Sequence, residues 1–567
     1  MPIRLKSLMP KNGAALALAN LTVLVGPNNA GKSQTLRDIR DFITSGAAQN
    51  LIILEMLDVD LPTQVEATSE LSRSPQAGAG QVSYTGVGSD LQSRQGWQVP
   101  ETWLDERFKN VQDDSIRAQL LHNMGKFWCA FLDAESRFKL AAPTETYDMR
   151  TESPSNALQS FFREGTSALA GLRSSFQETF AMDIALDWAG LRRLYLKIGP
   201  KFGPIPDDRS SLDALLVNAQ NLSDQGDGFK SFAGVLIALL AYPNRLLLLD
   251  EPEAFLHPAQ ARALGRWIAS ESKRRPAQLI LASHSSDLLL GIISGDPSAT
   301  VIRLNRTTAG TRFHQVPSST TAGLVKSPLL SSQPVLDSLF HRGVVVCEGD
   351  PDRALYQTVL HQYLRKEGGE EVLLIHSNGK DAAKIPLEML RNAATPVCAI
   401  VDIDVLNSAE TLSDIVMAVS GVAMDVRITT LRDSIATAVE KAKQTDLLSA
   451  LKEAVRQWMA VEHADLRRAR KSLVTSARVK SRWDSVKSKG VDFFTGTDRD
   501  SVDELLPLLA RIGVFVVPCG ELEGWLKLGI AKGGQWNRAA LEQLHSGSCP
   551  QDLKDFMLNV LRFLGIS

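Results

Sequence analysis

The amino-acid sequence predicts a mixed α/β protein made of two successive domains, each built around a parallel sheet. Short apolar runs alternate with helical spacing in both halves of the chain, which is the pattern of a parallel sheet covered by helices. The first half contains such runs at 21–25, 245–249 and 278–282, and a polar Pro/Ser-rich stretch at 320–334 interrupts the pattern. A second series begins at Gly343. The length of 567 residues also favours several domains, because one domain usually has about 150 residues.

The interruptions of the pattern give the predicted boundaries. The first domain is predicted for residues 1–325, with a helical insertion at about 145–205, where apolar residues recur every three to four positions; this insertion is a candidate for dimerisation. Residues 326–342 are predicted to be a linker, and 343–567 the second domain. A long helical, partly basic stretch at about 407–505 is predicted to be an insertion, since it is too long for a loop in a compact domain. The strands of the second domain are predicted at 344–347, 372–375, 397–401 and 513–517.

Composition and charge exclude several classes of protein. Lys and Arg total 62 against 64 Asp and Glu, so a uniformly basic nucleic-acid coat is excluded and a nucleic-acid site would have to be a local patch. No apolar run reaches the length of about 18 residues that a membrane span needs, and the N-terminus lacks the apolar segment of a signal peptide. The five cysteines are far apart and form no CxxC pair, which disfavours disulfides and zinc and favours a cytoplasmic location.

The segment GPNNAGKS, from Gly26 to Ser33, matches the phosphate-binding motif GxxxxGK[ST]. It follows an apolar run and precedes helical spacing, which is the context that the motif requires. Its glycines let backbone N–H groups close around phosphate oxygens at a helix N-terminus. Lys32 is expected to reach the β- and γ-phosphates, and the Ser33 hydroxyl to bind Mg²⁺. The alternative is a chance glycine-rich turn. The predicted nucleotide-binding residues of this motif are Gly26, Asn28, Asn29, Gly31, Lys32 and Ser33.

A second part of the nucleotide site is predicted where the apolar run RLLLL ends in Asp250 and Glu251. Asp250 is placed to hold the Mg²⁺ shell, and Glu251 to polarise the attacking water. His284 ends the next apolar run. A lone histidine is more often an ordinary core or surface residue, but its place one strand after the acidic pair favours a sensor of the γ-phosphate.

This combination resembles the ABC-type ATPases of the SMC and RecF branch, over roughly residues 1–310. The resemblance implies a signature segment, for which LSDQGDG at 222–228 is the candidate, although it departs from the usual LSGGQ order. Ser223, Gly226 and Gly228 would then contact the γ-phosphate bound to a partner subunit, so that hydrolysis requires a dimer. The alternative is a glycine-rich turn that caps a helix. For the Q-loop glutamine of such ATPases, Gln92 and Gln98 are both candidates.

Acidic residues follow two apolar runs of the second half. Glu348 follows VVVC and is itself followed by Gly349 and, four residues on, by Asp352, whereas Asp402 and Asp404 follow PVCAIV. The period of two along a strand is expected to put Asp402 and Asp404 on one face. The carboxyl ends of parallel strands converge, and carboxylates brought together there repel one another unless they share divalent metal ions such as Mg²⁺ or Mn²⁺. Surface carboxylates at loop ends are the alternative.

The pattern EGxxD followed by DxD resembles the Toprim fold of primases, type II topoisomerases and a set of nucleases, over about residues 340–567. An ABC-type ATPase followed by Toprim in one chain is the arrangement of the OLD (overcoming lysogenization defect) family of nucleases, which includes the nuclease subunit of the Gabija antiphage system. The chain is therefore identified as similar to that family. The catalytic residues predicted for the two domains are Glu251, His284, Glu348, Asp402 and Asp404.

The OLD resemblance implies further residues in the second domain. A late acidic ligand is expected, with Glu523 favoured over Glu521. A lysine near the scissile phosphate is also implied, and Lys527, Lys532 and Lys554 are all possible. Lys380, in the turn after the second strand, is either a phosphate contact or a solvated lysine. The metal ligands predicted for both sites are Ser33, Asp250, Glu348, Asp352, Asp402, Asp404 and Glu523.

A local basic stretch lies in the predicted insertion of the second domain. From Arg467 to Lys489 there are nine Lys or Arg residues and one acidic residue, Asp484. Such a stretch would attract duplex DNA without sequence preference, whereas the alternative is a solvated helix face. The predicted DNA-binding residues are Arg467, Arg468, Arg470, Lys471, Arg478, Lys480 and Arg482.

The motifs together predict a DNA endonuclease or nickase that uses ATP for regulation and Mg²⁺ or Mn²⁺ for cleavage. The resemblance implies a homodimer or higher homo-oligomer, a role in antiphage defence and a helicase-like protein partner. Two alternatives remain: a RecF- or SMC-like repair scaffold with an inactive Toprim domain, and a Toprim effector that cleaves RNA or tRNA. A topoisomerase or primase is disfavoured, because no tyrosine lies in a recognisable winged-helix segment and the cysteines supply no zinc module.

Overall fold

The computed structural model describes residues 3–75, 80–326, 333–441, 447–460, 469–470, 473 and 482–566. The chain forms two compact units, residues 1–340 and 341–567. Within the described ranges, no helix is both long and apolar enough to pass through a membrane. All five cysteines are free thiols.

The first unit contains sixteen strands and thirteen α-helices among its described residues. In chain order they are β1 (Arg4–Pro10), β2 (Leu16–Ala17), β3 (Leu21–Val25), α1 (Lys32–Ser45), β4 (Leu54–Asp60), α2 (Gln64–Thr68), β5 (Ser72–Pro75), β6 (Gln81–Val87), β7 (Arg94–Pro100), α3 (Trp103–Lys109), α4 (Asp114–Trp128), β8 (Cys129–Leu132), α5 (Ala134–Leu140), β9 (Thr144–Glu145), α6 (Ala157–Glu164), α7 (Thr166–Phe180), β10 (Asp183–Asp187), β11 (Arg193–Gly199), α8 (Arg209–Leu216), β12 (Gln220–Asn221), α9 (Asp227–Ala241), β13 (Leu246–Asp250), α10 (Pro258–Arg274), β14 (Leu279–Ala282), α11 (Ser286–Gly295), β15 (Thr300–Thr307), β16 (Gly310–Gln315), α12 (Ser318–Lys326) and α13 (Gln333–Asp337).

A six-stranded sheet in the order β16-β15-β3-β14-β13-β8 positions the nucleotide-binding motifs. Its strands are parallel except for β16, which pairs with β15 as a hairpin. Strands β3, β13 and β14 are almost wholly buried, as expected of strands covered on both faces. Because β14 lies between β3 and β13, the loops that follow these three strands lie side by side at one edge of the sheet.

The predicted helical insertion at about 145–205 is wrong in its second half. Helices α6 and α7 lie there, but β10 and β11 follow and pair as an antiparallel hairpin. Leu194, Leu196 and Ile198 alternate with more exposed neighbours along β11, which is a period of two. That alternation indicates a strand, and it was obscured because the preceding helical spacing runs directly into it.

The predicted linker at 326–342 also requires correction. Its residues 333–340 form α13 and a short 3₁₀ helix of the first unit, and the Ser286 hydroxyl donates a hydrogen bond to Asp337 at 2.6 Å. Leu336 and Leu339 are buried. The Pro/Ser-rich composition obscured this short apolar segment. Residues 327–332 lie outside the described part of the chain.

The second unit has a four-stranded, wholly parallel sheet in the order β18-β17-β19-β20. Its elements in chain order are β17 (Gly343–Cys347), α14 (Asp350–Tyr363), β18 (Val372–His376), α15 (Lys384–Asn392), β19 (Val397–Val401), α16 (Ala409–Ser420), α17 (Val426–Lys441), α18 (Leu447–Met459), α19 (Arg482–Lys489), α20 (Thr497–Arg511), β20 (Val514–Val516), α21 (Gly534–His545) and α22 (Gln551–Phe563). Between β19 and β20 the described residues are helical or irregular, in the region of the predicted insertion.

Candidate nucleotide and metal sites

The loop between β3 and α1 has the backbone of a phosphate-binding loop. Gly26 and Gly31 have φ angles of 137° and 100°, a region that side chains with a Cβ rarely adopt. A Cβ at Gly26 would lie 2.2 Å from the carbonyl oxygen of Leu304, and one at Gly31 would lie 2.4 Å from Cδ1 of Ile53. Both positions therefore require glycine. The loop ends at Lys32, the first residue of α1, so its N–H groups lie at a helix N-terminus.

The Lys32 side chain folds back over this loop. Its Nζ donates hydrogen bonds to the carbonyl oxygens of Gly26 at 2.7 Å and Pro27 at 2.9 Å, and it lies 3.3 Å from Nδ1 of His284. Burial lowers the pKa of Lys32 to about 8. The ammonium group is thus held at the loop that would surround a phosphate chain.

The loops after β13 and β14 bring three further predicted residues to the same place. The Ser33 hydroxyl donates a hydrogen bond to Oδ1 of Asp250 at 2.8 Å, and Nε2 of His284 lies 3.1 Å from Oε1 of Glu251. Burial raises the pKa of Asp250, whereas the hydrogen bond from His284 lowers that of Glu251. The structure therefore brings together the side chains of Lys32, Ser33, Asp250, Glu251 and His284, and their catalytic roles stay predictions.

Arg137 supports this site and was not among the predicted residues. It is fully buried and donates hydrogen bonds to the carbonyl oxygens of Asp250 at 2.7 Å and Glu251 at 2.9 Å, and to Oγ of Ser231 on α9 at 3.0 Å. Glu251 itself has a left-handed φ of 48°. Arg137 therefore fixes an unfavourable backbone turn at the candidate general base. No sequence pattern distinguishes this arginine from an exposed one, because its acceptors are backbone carbonyls about 110 residues away.

Glu253 is a second supporting residue that the sequence did not reveal. It is buried, and its Oε1 accepts hydrogen bonds from the Ser283 hydroxyl at 2.7 Å and from the His284 backbone N–H at 2.9 Å. Burial raises its pKa. Glu253 thus joins the loop after β13 to the loop after β14 and orients His284.

The signature segment (Leu222–Gly228) forms a short 3₁₀ helix and the start of α9. The Ser223 hydroxyl donates to Oδ1 of Asp224 at 3.2 Å, and in the described part of the chain no hydrogen bond joins the segment to the phosphate-binding loop. At Gly228 a Cβ would lie 2.8 Å from the carbonyl oxygen of Phe255, so packing alone explains that glycine, whereas Gly226 has open space around it.

The two Q-loop candidates belong to the hairpin of β6 and β7, which lies outside the sheet that carries the phosphate-binding loop. Gln92 lies in the turn between β6 and β7, where its N–H donates to Oδ1 of Asp90 at 3.0 Å, and Gln98 lies on β7. The Q-loop glutamine remains unassigned.

The second site is an acidic cluster (Glu348, Asp402 and Asp404) at the carboxyl ends of the neighbouring strands β17 and β19. One carboxylate oxygen from each residue lies within 4.8 Å of the others. Oε1 of Glu348 accepts a hydrogen bond from the backbone N–H of Asp402 at 3.0 Å. Burial and the Asp402 carboxylate raise the pKa of Glu348 to about 7, and burial also raises the pKa of Asp402.

The reason given for pairing Asp402 with Asp404 was wrong, although the two residues do lie together. Strand β19 ends at Val401, and Ile403–Asn407 form a 3₁₀ helix for which Asp402 is the N-terminal cap residue. The turn of this helix brings the carboxylates together, not the pleat of a strand. The backbone N–H of Ile403 donates to the carbonyl oxygen of Gly520 at 2.9 Å, which fixes the turn against the loop after β20.

Asp352 and Glu523 lie beside the acidic cluster but are not among the three residues whose carboxylate oxygens lie within 4.8 Å of one another. The carboxylate of Asp352 accepts a hydrogen bond from the Gly349 N–H at 2.9 Å, and burial followed by the charge of Asp402 raises its pKa to about 6. Glu523 lies in the 3₁₀ helix Leu522–Trp525 after β20, with Oε2 buried and without a hydrogen bond.

Lys487 contacts the acidic cluster most closely and was missed. Its Nζ lies 2.8 Å from Oδ2 of Asp402 and 3.5 Å from Oδ1 of Asp404. Burial alone would lower the pKa of Lys487, but the Asp402 carboxylate outweighs that effect and raises it above its ordinary value. Membership of the basic stretch was the only sequence signal, and it pointed to DNA.

The other lysines have distinct partners. Lys380 is not a solvated lysine, because its Nζ lies 2.9 Å from Oδ2 of Asp404. Lys532 contacts Glu521 at 2.6 Å and Glu523 at 3.5 Å. Lys527 is exposed, and Lys554 lies over the ring of Tyr363, 4.8 Å from its centroid. Among the three lysines named from the sequence, Lys532 is therefore the one paired with the late acidic residues.

Most of the predicted DNA-binding residues lie outside the described part of the chain: Arg467, Arg468, Lys471, Arg478 and Lys480. Arg470 is exposed. Arg482 begins α19, and its Nη1 donates to the carbonyl oxygen of Val439 at 3.3 Å, so this side chain supports the packing of α19.

The donor set of the acidic cluster fits a divalent cation. All its side-chain donors are carboxylate oxygens, which hard cations such as Mg²⁺ and Mn²⁺ prefer. Oδ1 of Asp404 is buried and accepts no hydrogen bond in the described structure, which leaves this oxygen available to a cation. Cys347 and Cys398 are buried in the adjacent core and do not belong to the donor set.

Comparison with known families gives two matches in succession along the chain. Residues 190–291 match the family described as "AAA domain, putative AbiEii toxin, Type IV TA system", and residues 339–404 match the family described as overcoming lysogenization defect protein-like, TOPRIM domain. The matched segments include the signature segment, Asp250, Glu251 and His284 in the first case and the acidic cluster in the second. No curated protein matched the chain.

Several solved structures resemble the chain over about half of its length at low identity. The head domain of Smc bound to the C-terminal winged-helix domain of ScpA has 12% identity and a TM-score of 0.31, covering 55% of this chain and 97% of its own. The SMC head domain from Thermotoga maritima has 12% identity and a TM-score of 0.29, covering 55% and 99%. An Smc head with an extended coiled coil, bound to a ScpA domain from Pyrococcus furiosus, has 10% identity and a TM-score of 0.31, covering 57% and 99%.

Proposed function

We propose that this chain, which joins an ATPase domain to an OLD-like TOPRIM domain, is an ATP-regulated, divalent-metal-dependent DNA endonuclease or nickase. The observation that carries the proposal is the acidic cluster, which offers one carboxylate oxygen from each of three residues within 4.8 Å of one another at the ends of two neighbouring parallel strands. Half-buried carboxylates at this distance repel one another, and a bound divalent cation would offset that electrostatic repulsion.

Each residue of the candidate metal site has a proposed role in phosphodiester hydrolysis. Glu348, Asp402 and Asp404 would hold Mg²⁺ or Mn²⁺, with Asp352 and Glu523 flanking them. The cation, when bound, activates water and stabilises the charge on the leaving oxygen. Lys380 balances the negative charge of Asp404 and keeps its carboxylate in place. Lys532 does the same for Glu521 and Glu523.

The first unit is proposed to bind and hydrolyse ATP. The backbone N–H groups of the phosphate-binding loop and the Lys32 ammonium would hold the phosphates, and Ser33 and Asp250 would hold Mg²⁺. Glu251 accepts a proton from the attacking water, while His284 keeps the carboxylate oriented through the contact at 3.1 Å. Two chains would associate through this unit, with the signature segment of one facing the nucleotide of the other.

The biological setting is proposed from the resemblance to OLD nucleases. It comprises a cytoplasmic location, antiphage defence and a helicase-like partner. The choice of DNA over RNA rests on the same resemblance and on the local basic stretch, so cleavage of RNA is an outcome that the test must distinguish.

The test is cleavage of supercoiled plasmid and of a structured RNA by the full chain, with Mg²⁺ or Mn²⁺, with and without ATP. We expect nicking or linearisation of the plasmid by the wild type and loss of at least about a hundredfold in Glu348→Gln, since a metal ligand is lost. Asp350→Asn is the matched control, because Asp350 lies two residues away with a side chain 62% exposed, and it should cleave as the wild type does.

The wild type with and without ATP gives the direction of ATP control, and Lys32→Ala tests whether that control requires the phosphate-binding loop. If ATP changes cleavage in the wild type, that change should be absent in Lys32→Ala. No cleavage of either substrate under any metal, with ATP hydrolysis intact, would contradict the nuclease proposal and favour a scaffold. Cleavage of RNA alone would favour the effector that acts on RNA or tRNA.

A further inference from the structure

The position of Lys487 is unusual, because its ammonium group occupies the place beside Asp402 and Asp404 where a metal ion would bind. Its Nζ lies between Asp402 at 2.8 Å and Asp404 at 3.5 Å. The nearer Asp404 oxygen, Oδ1, is the buried one that accepts no hydrogen bond. An ammonium and a divalent cation cannot share these two carboxylates at close range, since like charges at such distances repel strongly away from bulk water.

The backbone that carries Lys487 is attached to the loop after β20, whereas its side chain is long and flexible. Helix α19 ends at Lys489, and its end is joined to the loop after β20 by a hydrogen bond from the Val491 N–H to the Pro518 carbonyl at 2.9 Å. Gly520 allows the closest approach, because a Cβ there would lie 1.9 Å from the carbonyl oxygen of Lys487. The four-carbon side chain, 21% exposed, retains several rotatable bonds.

A cleft lies directly beside this lysine and can receive the side chain. It has a volume of about 740 Å³ and includes Lys487, Lys489, Lys527 and Glu523 in its lining. Lys489 and Lys527 are exposed and would attract a phosphate backbone. Because Lys487 itself lines this cleft, rotation about its side-chain bonds would be enough to direct the ammonium into it.

We propose that Lys487 exchanges between two positions: in the metal-free protein its ammonium stands in for the cation at Asp402 and Asp404, and in the metal-bound protein it lies in the cleft and contacts a phosphate of the nucleic-acid strand. This inference rests on the proposed function and assigns Lys487 two effects of opposite sign. It opposes metal binding in the absence of nucleic acid, and it favours nucleic-acid binding once the metal is present. A solely structural lysine would do neither.

The first measurement is Mn²⁺ binding to the full chain, without nucleotide or nucleic acid, by titration calorimetry. We expect Lys487→Gln to bind Mn²⁺ at the acidic cluster about tenfold more tightly than the wild type, because a competing charge is removed. Lys489→Gln is the matched control: it removes the same charge two residues away from an exposed side chain, and its Mn²⁺ affinity should stay within about twofold of the wild type. Thermal unfolding confirms that each variant is folded.

The second measurement is the salt dependence of binding to a short DNA duplex in Ca²⁺. Loss of one phosphate contact should reduce the slope of log K against log salt by about one in Lys487→Gln. Unchanged or weaker Mn²⁺ affinity in this variant would overturn the exchange, and tighter Mn²⁺ binding with an unchanged slope would overturn the phosphate contact. Equal Mn²⁺ binding by the wild type and Glu348→Gln would instead show that the proposed metal site itself is absent.

Discussion

At the scale of single residues, the charge of Glu348 depends strongly on its surroundings. Burial and the neighbouring Asp402 raise its pKa to about 7 from 4.5. A carboxyl group whose pKa is raised on folding binds more protons in the folded than in the unfolded state between those two values. Its contribution to stability is therefore fully present below about pH 4.5 and is lost as the pH rises through about 7.

This titration predicts that the metal-free protein loses stability between pH 5 and pH 8 and that Glu348→Gln loses less, since the glutamine carries no charge. The measurement is the thermal midpoint of both proteins in a chelator across that range. Asp350→Asn is the control and should follow the wild type. Parallel pH profiles for the wild type and Glu348→Gln would contradict the prediction. Mg²⁺ should stabilise the wild type more at pH 8 than at pH 6, because the ligand is then deprotonated.

Some residues of the two sites could be predicted from the sequence, and others could not. Lys32, Ser33, Asp250 and Glu251 belong to motifs in which neighbours along the chain fix the chemistry, and the structure brings them together. Arg137 and Lys487 act through contacts with residues 83 or more positions away, to backbone carbonyls in one case and to a turn in the other. No local pattern encodes such contacts, so the sequence could not single out these two residues.

At the scale of elements, the close approach between α19 and the loop after β20 is the contact that positions Lys487. Gly520 has a φ of 101°, and a Cβ there would lie 1.9 Å from the carbonyl oxygen of Lys487. The loop also accepts the Ile403 N–H, which holds the turn that carries Asp402 and Asp404. Helix α19 and the 3₁₀ helix of the acidic cluster are thus both attached to one glycine-containing loop.

Gly520→Ala is predicted to destabilise the protein by about 1–3 kcal/mol more than Gly547→Ala, because it forces the loop away from α19. Gly547 is the matched control, since its φ of 94° imposes the same backbone strain while no atom lies within 4 Å of its Cβ position. The measurement is urea unfolding of both variants. Equal destabilisation would show that the close contact is not maintained in solution.

Elements in which the apolar residues follow one clear pattern were predicted well. Elements at which that pattern changes along the chain were predicted poorly. The four strands of the second unit lie within one residue of their predicted starts, because uninterrupted apolar runs indicate buried parallel strands. Strands β10 and β11 were taken as helix, because a helical period runs directly into a period of two at residues 181–199. The proximity of Asp402 and Asp404 was attributed to a strand. A 3₁₀ helix of five residues is too short to produce a recognisable period in the sequence.

At the scale of the whole molecule, the prediction of an ATPase domain followed by an OLD-like TOPRIM domain is confirmed by the two family matches. The two domain motifs are separated by more than 300 residues, and their order identified the arrangement more specifically than either motif alone. The assembly of the chain does not follow from one subunit, and the dimer remains a proposal.

The proposed dimer predicts that ATP doubles the mass of Glu251→Gln, from 61.9 kDa for one chain, because slow hydrolysis preserves the nucleotide-bound state. Ser223→Arg in that background should stay monomeric while still binding ATP, since the added side chain blocks the signature segment. Ser210→Arg, at an exposed position of α8, is the control and should dimerise. Sedimentation velocity measures all three. An ATP-induced dimer of the Ser223→Arg variant would exclude this interface.

The contacts of Arg137 have a consequence for the lifetime of such a dimer. One buried guanidinium donates hydrogen bonds both to Ser231 on α9 and to the carbonyls of Asp250 and Glu251, so α9 and the backbone turn at Glu251 share one contact. In the proposed dimer, a partner that engages the start of α9 would act on Glu251 through this shared contact, and nucleotide bound beside Glu251 would in turn change the affinity of the two chains for each other. The ATPase would then serve as a timer, whose own chemistry sets how long two chains remain together.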